Sequence, residues 1–190
     1  MSRAYRISVK ESETRHLRAG DEIGTTLELL EILPPEDMAT LLRRELKERG
    51  FEEQPDGTLA RTDGATTVTV DPCSGAVTVK AESEATTTQE VERHGTGFND
   101  VGPAEGTLRD RVREQAKQDL DKRFDKDQSA LQKEATERLE KKLQELQPEV
   151  ADIVNKVTRD ALKEKAQQLG TVKEISEDAE SGSLTIKVEV

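Results

Sequence analysis

Leu108-Arg109-Asp110-Arg111-Val112-Arg113-Glu114-Gln115-Ala116-Lys117-Gln118-Asp119-Leu120 is the stretch on which the fold of this chain turns. Its apolar residues stand four apart, and nearly every step onward through Phe124, Leu131, Ala135, Leu139, Leu143 and Leu146 is again four, except for seven before Leu131 and three before Leu146, with charged and amide side chains between. This is the pattern of an amphipathic helix. A step of four exceeds the helical turn, so the apolar stripe drifts around the axis. Such a drift favours right-handed supercoiling on a long partner and disfavours a leucine-zipper dimer. Asp125-Lys126-Asp127-Gln128-Ser129 is polar on all sides and is the expected place for a bend or break. Beyond Pro148 the apolar spacing tightens at Val150, Ile153, Val154, Val157, Ala161, Leu162, Ala166 and Leu169, with Gly170 as a C-cap. Pro148 either opens a second, antiparallel helix or kinks a single one. Glu145-Leu146-Gln147 has no Gly and little room to reverse, so the kinked rod is favoured. Unbroken from Thr107 to Leu169, it would span roughly 95 Å at ~1.5 Å per residue.

Upstream, Tyr5, Ile7 and Val9 alternate with polar residues as in a half-buried strand. Thr14 to Ala19 reads as its hairpin partner, turning at Gly20-Asp21, and the length of Gly24 to Leu33 permits a strand or a short helix, with the strand favoured. Pro34-Pro35-Glu36-Asp37 starts a helix, with Pro in the first turn and acids at the positive end of the dipole. Met38, Leu41, Leu42 and Leu46 form its apolar face, Gly50 ends it, and Phe51 folds back. Turns at Pro55-Asp56-Gly57 and Asp63-Gly64 precede strands over Thr66 to Val70 and Ala76 to Ala81, joined by Asp71-Pro72-Cys73-Ser74-Gly75. Thr86 to Glu92 reads as an edge strand and His94 to Gly106, rich in Gly, as a linker. The chain is thus predicted to be α+β: a small lobe over 1–92, a linker over 93–106, a long helical segment over 107–169, and a β-hairpin over 170–190.

Composition agrees with dispersed small cores. Of 190 residues 32% are hydrophobic, and 29 basic side chains face 40 acidic ones, for a net charge of −11. That apolar inventory is small for one large core set against the ordering entropy of such a chain. Residues 1–103 carry 12 basic and 20 acidic side chains, residues 104–170 carry 15 of each, and the remainder 2 and 5. The helix is therefore a neutral spacer supported by i,i+4 pairs, and recognition is expected at the acidic ends. The acidic excess argues against a nucleic-acid binder, no apolar run is long enough to span a membrane, and the lone Cys73 suits a reducing cytoplasm.

Ser74-Gly75-Ala76-Val77-Thr78-Val79-Lys80-Ala81-Glu82 has a counterpart in Ser181-Gly182-Ser183-Leu184-Thr185-Ile186-Lys187-Val188-Glu189. The bland explanation is two ordinary hairpins with Ser-Gly turns. The sharper one is a pair of equivalent hairpins in similar sheet positions, or pairing between protomers in a homo-oligomer. An isolated hairpin is marginal in water, so the terminal one needs a partner surface. Leu184, Ile186, Val188, Val77 and Val79 are the expected interaction residues.

Catalytic signals are weak. His16 and His94 are single and far apart, Cys73 has no His near it in sequence, and Glu174, Glu177, Asp178 and Glu180 lack the spaced ligands and central Gly of a calcium loop. No Lys-Ser/Thr follows His94-Gly95-Thr96-Gly97 to hold a phosphate. Arg43, Arg44 and Lys47 form the only compact basic patch on the first helix, interrupted by Glu45 and Glu48. No enzyme, cofactor or metal is expected.

Three segments, Met1 to Val9, Thr26 to Pro34 and Gly182 to Val188, together with the order strand, helix, hairpin, long charged helix and closing hairpin, resemble an accessory X-type component of the bacterial FtsH ternary systems. The resemblance implies a non-catalytic scaffold or adaptor in a multi-protein system linked to an AAA+ ATPase, acting in biological conflict or phage defence. It also implies AAA+ ATPase and von Willebrand A-like proteins as partners, and supplies no active-site residue. The alternative is a self-assembling structural protein that pairs its hairpins between protomers.

Overall fold

A computed structural model describes residues 3–100, 102–177 and 184–189. In chain order the described residues form β1 (Ala4–Thr26), α1 (Pro35–Glu48), β2 (Glu52–Glu53), β3 (Leu59–Asp63), β4 (Thr66–Val70), β5 (Ala76–Phe98), α2 (Glu105–Leu169), β6 (Thr171–Glu177) and β7 (Leu184–Glu189). The first five strands make an antiparallel sheet in the order β1-β5-β4-β3-β2, and β6 and β7 make a separate two-stranded sheet. The class is α+β, as the sequence predicts.

Near the N-terminus the structure departs from the expected short hairpin. β1 is one strand of 23 residues and does not turn at Gly20-Asp21. Gly20 is not among the positive-φ glycines, so the backbone there has no hairpin geometry. The partner of β1 lies far away in sequence: Asn99 N donates to Arg3 O, Ser8 Oγ donates to Glu92, and the Thr14 and Thr88 hydroxyls share a bond at 2.8 Å. The descending numbers on β5 show the antiparallel sense. The expected strand over Gly24 to Leu33 also stops early, at Thr26. Leu27 N still bonds Gly75 O, but β5 starts at Ala76, so the backbone beyond has no ladder to join. Burial of Leu27 and Leu33 in the core anchors this segment instead.

β5 unites three pieces that the sequence separates. It continues from the expected Ala76–Ala81 strand through the Thr-rich stretch to Phe98, taking His94 to Gly97 out of the expected linker. The glycines are there for space. A Cβ on Gly95 would lie 2.6 Å from Val112 Cγ2, and one on Gly97 would collide with the Tyr5 ring across the ladder. At the start of the strand, Gly75 has φ +71°, which closes the β4–β5 turn. The Asp71 carboxylate braces that turn, accepting from Cys73 N and Ser74 Oγ.

The chain divides into two compact units, Met1–Asp21 with Glu82–Thr136, and Glu22–Ala81 with Glu137–Val190. In the first, odd-numbered residues of β1 and β5 face α2. Tyr5, Ile7 and Val9 meet Leu108 and Val112, while Leu17 and Val91 meet Ala116, Leu120 and Phe124. The four-residue step stays buried along Val112, Ala116, Leu120 and Phe124. A stripe advancing about 40° per step suits a twisted ribbon better than a straight helical groove. The predicted weak point at Asp125–Ser129 is helical, because its polar side chains have strand partners. Gln89 Nε2 donates to Asp127 at 2.7 Å and Gln128 Nε2 donates to Arg18 O at 2.7 Å.

In the second unit α1 and the later part of α2 cover β3, β4 and the start of β5. Leu42 and Leu46 have no exposed surface, and Phe51 folds back onto them as expected, behind Gly50 with φ +81°. Leu139, Leu146, Ile153, Val157 and Ala161 of α2 join the same core. Pro148 lies inside this one helix, so the chain makes no antiparallel reversal there.

Candidate interaction surfaces

Of the five residues expected to meet partners, two are enclosed. Val77 and Val79 are 3% and 1% exposed, and pack in the core of the second unit. Leu184, Ile186 and Val188 alternate along β7 as half-buried side chains between exposed ones. The structure therefore places the two similar hairpins differently. β4–β5 is sheet interior with one face closed, whereas β6–β7 is a sheet of its own. The turn at Ser181-Gly182-Ser183, and Asp178 and Glu180 of the acidic cluster, lie outside the described residues.

The terminal hairpin has two unlike faces. Its register pairs Val172 with Val188 and Ile175 with Ile186, with a bulge between Val172 and Glu174. One extra residue in β6 puts Val172 and Ile175, three apart, on the same face. Simple alternation places them on opposite faces, so sequence reasoning omitted both. The resulting apolar strip is Val172, Ile175, Leu184, Ile186 and Val188. Ile175 is 44% exposed, and Leu169 just before the hairpin is 60% exposed. Ion pairs brace the hairpin, Lys187 to Glu174 at 2.5 Å and Lys173 to Glu189 at 2.7 Å.

A second region of polar contacts ties α1 and β3 to α2. Glu45, which interrupts the basic patch in the sequence, turns inward. It is 4% exposed and meets Arg49 at 2.6 Å and Lys156 at 2.5 Å. Outward, Thr40, Arg43, Arg44, Lys47 and Glu48 line a shallow groove on α1. Its cations are compensated: Arg43 and Lys47 share Glu53, and Arg44 pairs with Asp160 at 2.8 Å.

Nearby, Arg61 donates twice to Glu149, at 2.7 Å each, donates to Arg49 O, and lies 4.5 Å over the Phe51 ring. The hydrogen bonds from Arg61 hold the Glu149 carboxyl below the usual carboxylate range, against the opposing effect of burial. A carboxylate whose pKa falls on folding adds stability above its unfolded pKa and loses it as pH falls through the folded one. Stability to urea is therefore expected to decline on acidification from about pH 5, and to decline less steeply in Glu149→Gln. Equal acid limbs in both proteins would remove this pair from the pH response.

The residues with chemical potential are dispersed. His16 bonds the Thr86 hydroxyl and accepts from Arg18, while His94 lies 3.9 Å from Glu92. Eight residues of β1–β5 ribbon separate the two His levels, roughly 27 Å at ~3.4 Å per residue. Cys73 is exposed in the β4–β5 turn, in the other unit. No group of three or more His, Cys, Asp or Glu that could hold a metal occurs among the described residues. No helix of the described residues is long and apolar enough to cross a membrane. The units also redistribute the charge, with 14 basic and 16 acidic residues in the first and 15 and 24 in the second.

The family model described as FtsH ternary system domain X5 matches residues 1–190. No curated protein and no solved structure matches the chain.

Proposed function

Because this chain belongs to the FtsH ternary system domain X5 family, we propose that it is a non-catalytic scaffold or adaptor of a bacterial multi-protein system linked to an AAA+ ATPase. We place it in the cytoplasm, working in biological conflict or phage defence, with the AAA+ ATPase and von Willebrand A-like proteins of its system as partners. The observation that carries the reading is the β6–β7 hairpin. It is a two-stranded sheet apart from the main one, and its apolar strip keeps Ile175 open to water. Two strands alone are marginal, and an apolar strip with a charged reverse suits a partner surface. His16 bonds Thr86 and Arg18 on a strand face, His94 stands on the same strand face near Glu92, and Cys73 is a free exposed thiol in a turn.

Co-purification of the intact chain with AAA+ ATPase and von Willebrand A-like proteins of an FtsH ternary system tests the proposal. Deleting 171–190, or converting Ile175 and Ile186 to Glu, is expected to weaken capture by about tenfold or more, a loss of ~1.4 kcal/mol. The melting of the remaining structure should change little. Undiminished capture by both variants would take the hairpin out of the mechanism.

A further inference from the structure

We propose that the outer edge of β5, from Glu84 to Glu92, accepts an extended basic segment of a protein partner as an added strand. Arg3 bonds Asn99 and Leu27 bonds Gly75, so odd-numbered residues of β1 and β5 point their N–H and C=O into the shared ladder. Even-numbered residues point outward. On β5 the outward groups serve β4 at first, as Asp71 N bonding Ala76 O shows, but the β4 register ends at Thr66 opposite Ala81. Beyond Ala81, no strand of the described residues pairs with that side. α2 reaches it where Arg123 Nη1 donates to Glu90 O at 2.9 Å. Long unpaired edges attract further strands, and main-chain pairing on such an edge is a recurrent way to bind peptides.

The side chains along this edge state the chemistry of the occupant. From Glu84 onward the even-numbered residues on the solvent face of β5 are Glu84, Thr86, Thr88, Glu90 and Glu92, then His94, Thr96 and Phe98, all exposed. Their neighbours on β1 show what such a row pairs with: Lys10 meets Glu90 at 2.7 Å, and Arg18 meets Glu84 at 3.4 Å. A strand on the open side would sit beside the same glutamates, so cations at alternate positions are favoured there and acids opposed.

A second copy of this chain fits less well. Pairing β5 edge to β5 edge sets glutamates against glutamates, and pairing β1 to β1 sets Arg6, Lys10 and Arg18 against their equals. A copy presenting β1 to β5 in the existing register would bring its residues 21–25 to the place β4 already occupies beside Val77–Ala81. A free extended segment has neither problem.

This inference shares with the adaptor reading only the supposition of a protein partner, and its test uses the purified chain alone. The probe is a synthetic peptide of about nine residues, near the upper length of a common strand, alternating lysine and valine. Its control alternates glutamate and valine. Amide exchange at Glu84, Thr86 and Thr88 is expected to slow about tenfold or more with the lysine peptide and to be unaffected by the control. Thr88→Pro removes an outward N–H and spares the β1 ladder, so it should keep the fold and lose the peptide. The Glu84→Lys, Glu92→Lys pair, which leaves the backbone alone, should reverse the preference between peptides. Equal protection by both peptides, protection confined to other strands, or self-association abolished by Thr88→Pro would overturn the proposal. Failure here leaves the co-purification result for the hairpin untouched.

Discussion

Replacing Phe124 with Ala is expected to lower the stability of the first unit by about 3–5 kcal/mol, the range for deleting a buried aromatic side chain. Phe124 is 2% exposed and is the largest member of the cluster with Val91, Ala116 and Leu120. Arg15 stacks over its ring at 4.3 Å while bonding Glu13 and Asp121. The substitution therefore opens a cavity and also removes the surface that supports a bridging guanidinium. The measurement is native-state hydrogen exchange, read unit by unit. Amides of β1 before Asp21 and of β5 after Ala81 should exchange faster in proportion to the lost free energy, while those of α1 and β4 keep their protection. Equal losses across both sets would show that the two cores unfold together.

Leu46→Ala is expected to give the converse pattern at about 2–5 kcal/mol. Leu46 is fully enclosed on α1, and Phe51 N bonds its carbonyl while the Phe51 ring joins the same cluster. Removing the isobutyl group leaves Phe51 and Leu42 without a wall, and the rigid sheet beneath them cannot collapse to fill the space. Exchange should accelerate in α1, β3 and β4 and leave β5 beyond Glu82 unchanged. A chain that loses protection first at Tyr5 and Val91 would refute the assignment of Leu46 to a core of its own.

What could be foreseen from the chain was local. α1 follows from Pro35, the acids after it and the Met38–Leu46 face, and β4 starts and stops where its Val/Thr run does. α2 is read from its four-residue step and Gly170. The failures share a cause, which is pairing between residues far apart in sequence. Thr14 to Ala19 alternates equally well as a hairpin arm or as the middle of a long strand, and only the bond between Thr14 and Thr88 distinguishes them. Gly95 and Gly97 look like linker residues until the Val112 and Tyr5 side chains that exclude a Cβ are known. The apolar strip of the hairpin was half legible. Leu184, Ile186 and Val188 show their alternation, but the bulge that brings Ile175 beside them leaves no mark in composition. Val77 and Val79 resemble them in sequence and are spent on the core.

The interleaving of the two units has a consequence for synthesis. Neither unit is a contiguous stretch of chain. The first is completed by Glu82–Thr136, the second only by Glu137–Val190. A chain emerging from the ribosome N-terminus first can therefore close β1, β5 and the first part of α2 while Glu137–Val190 is still being made. During that interval α1, β3 and β4 exist without Leu146, Ile153 and Val157 to cover them. The apolar faces of Leu42, Leu46 and Val68 must wait, tethered at both ends as a loop of a unit that has already folded. The order of assembly is written into the order of the segments, and the β6–β7 hairpin follows every segment of the first unit.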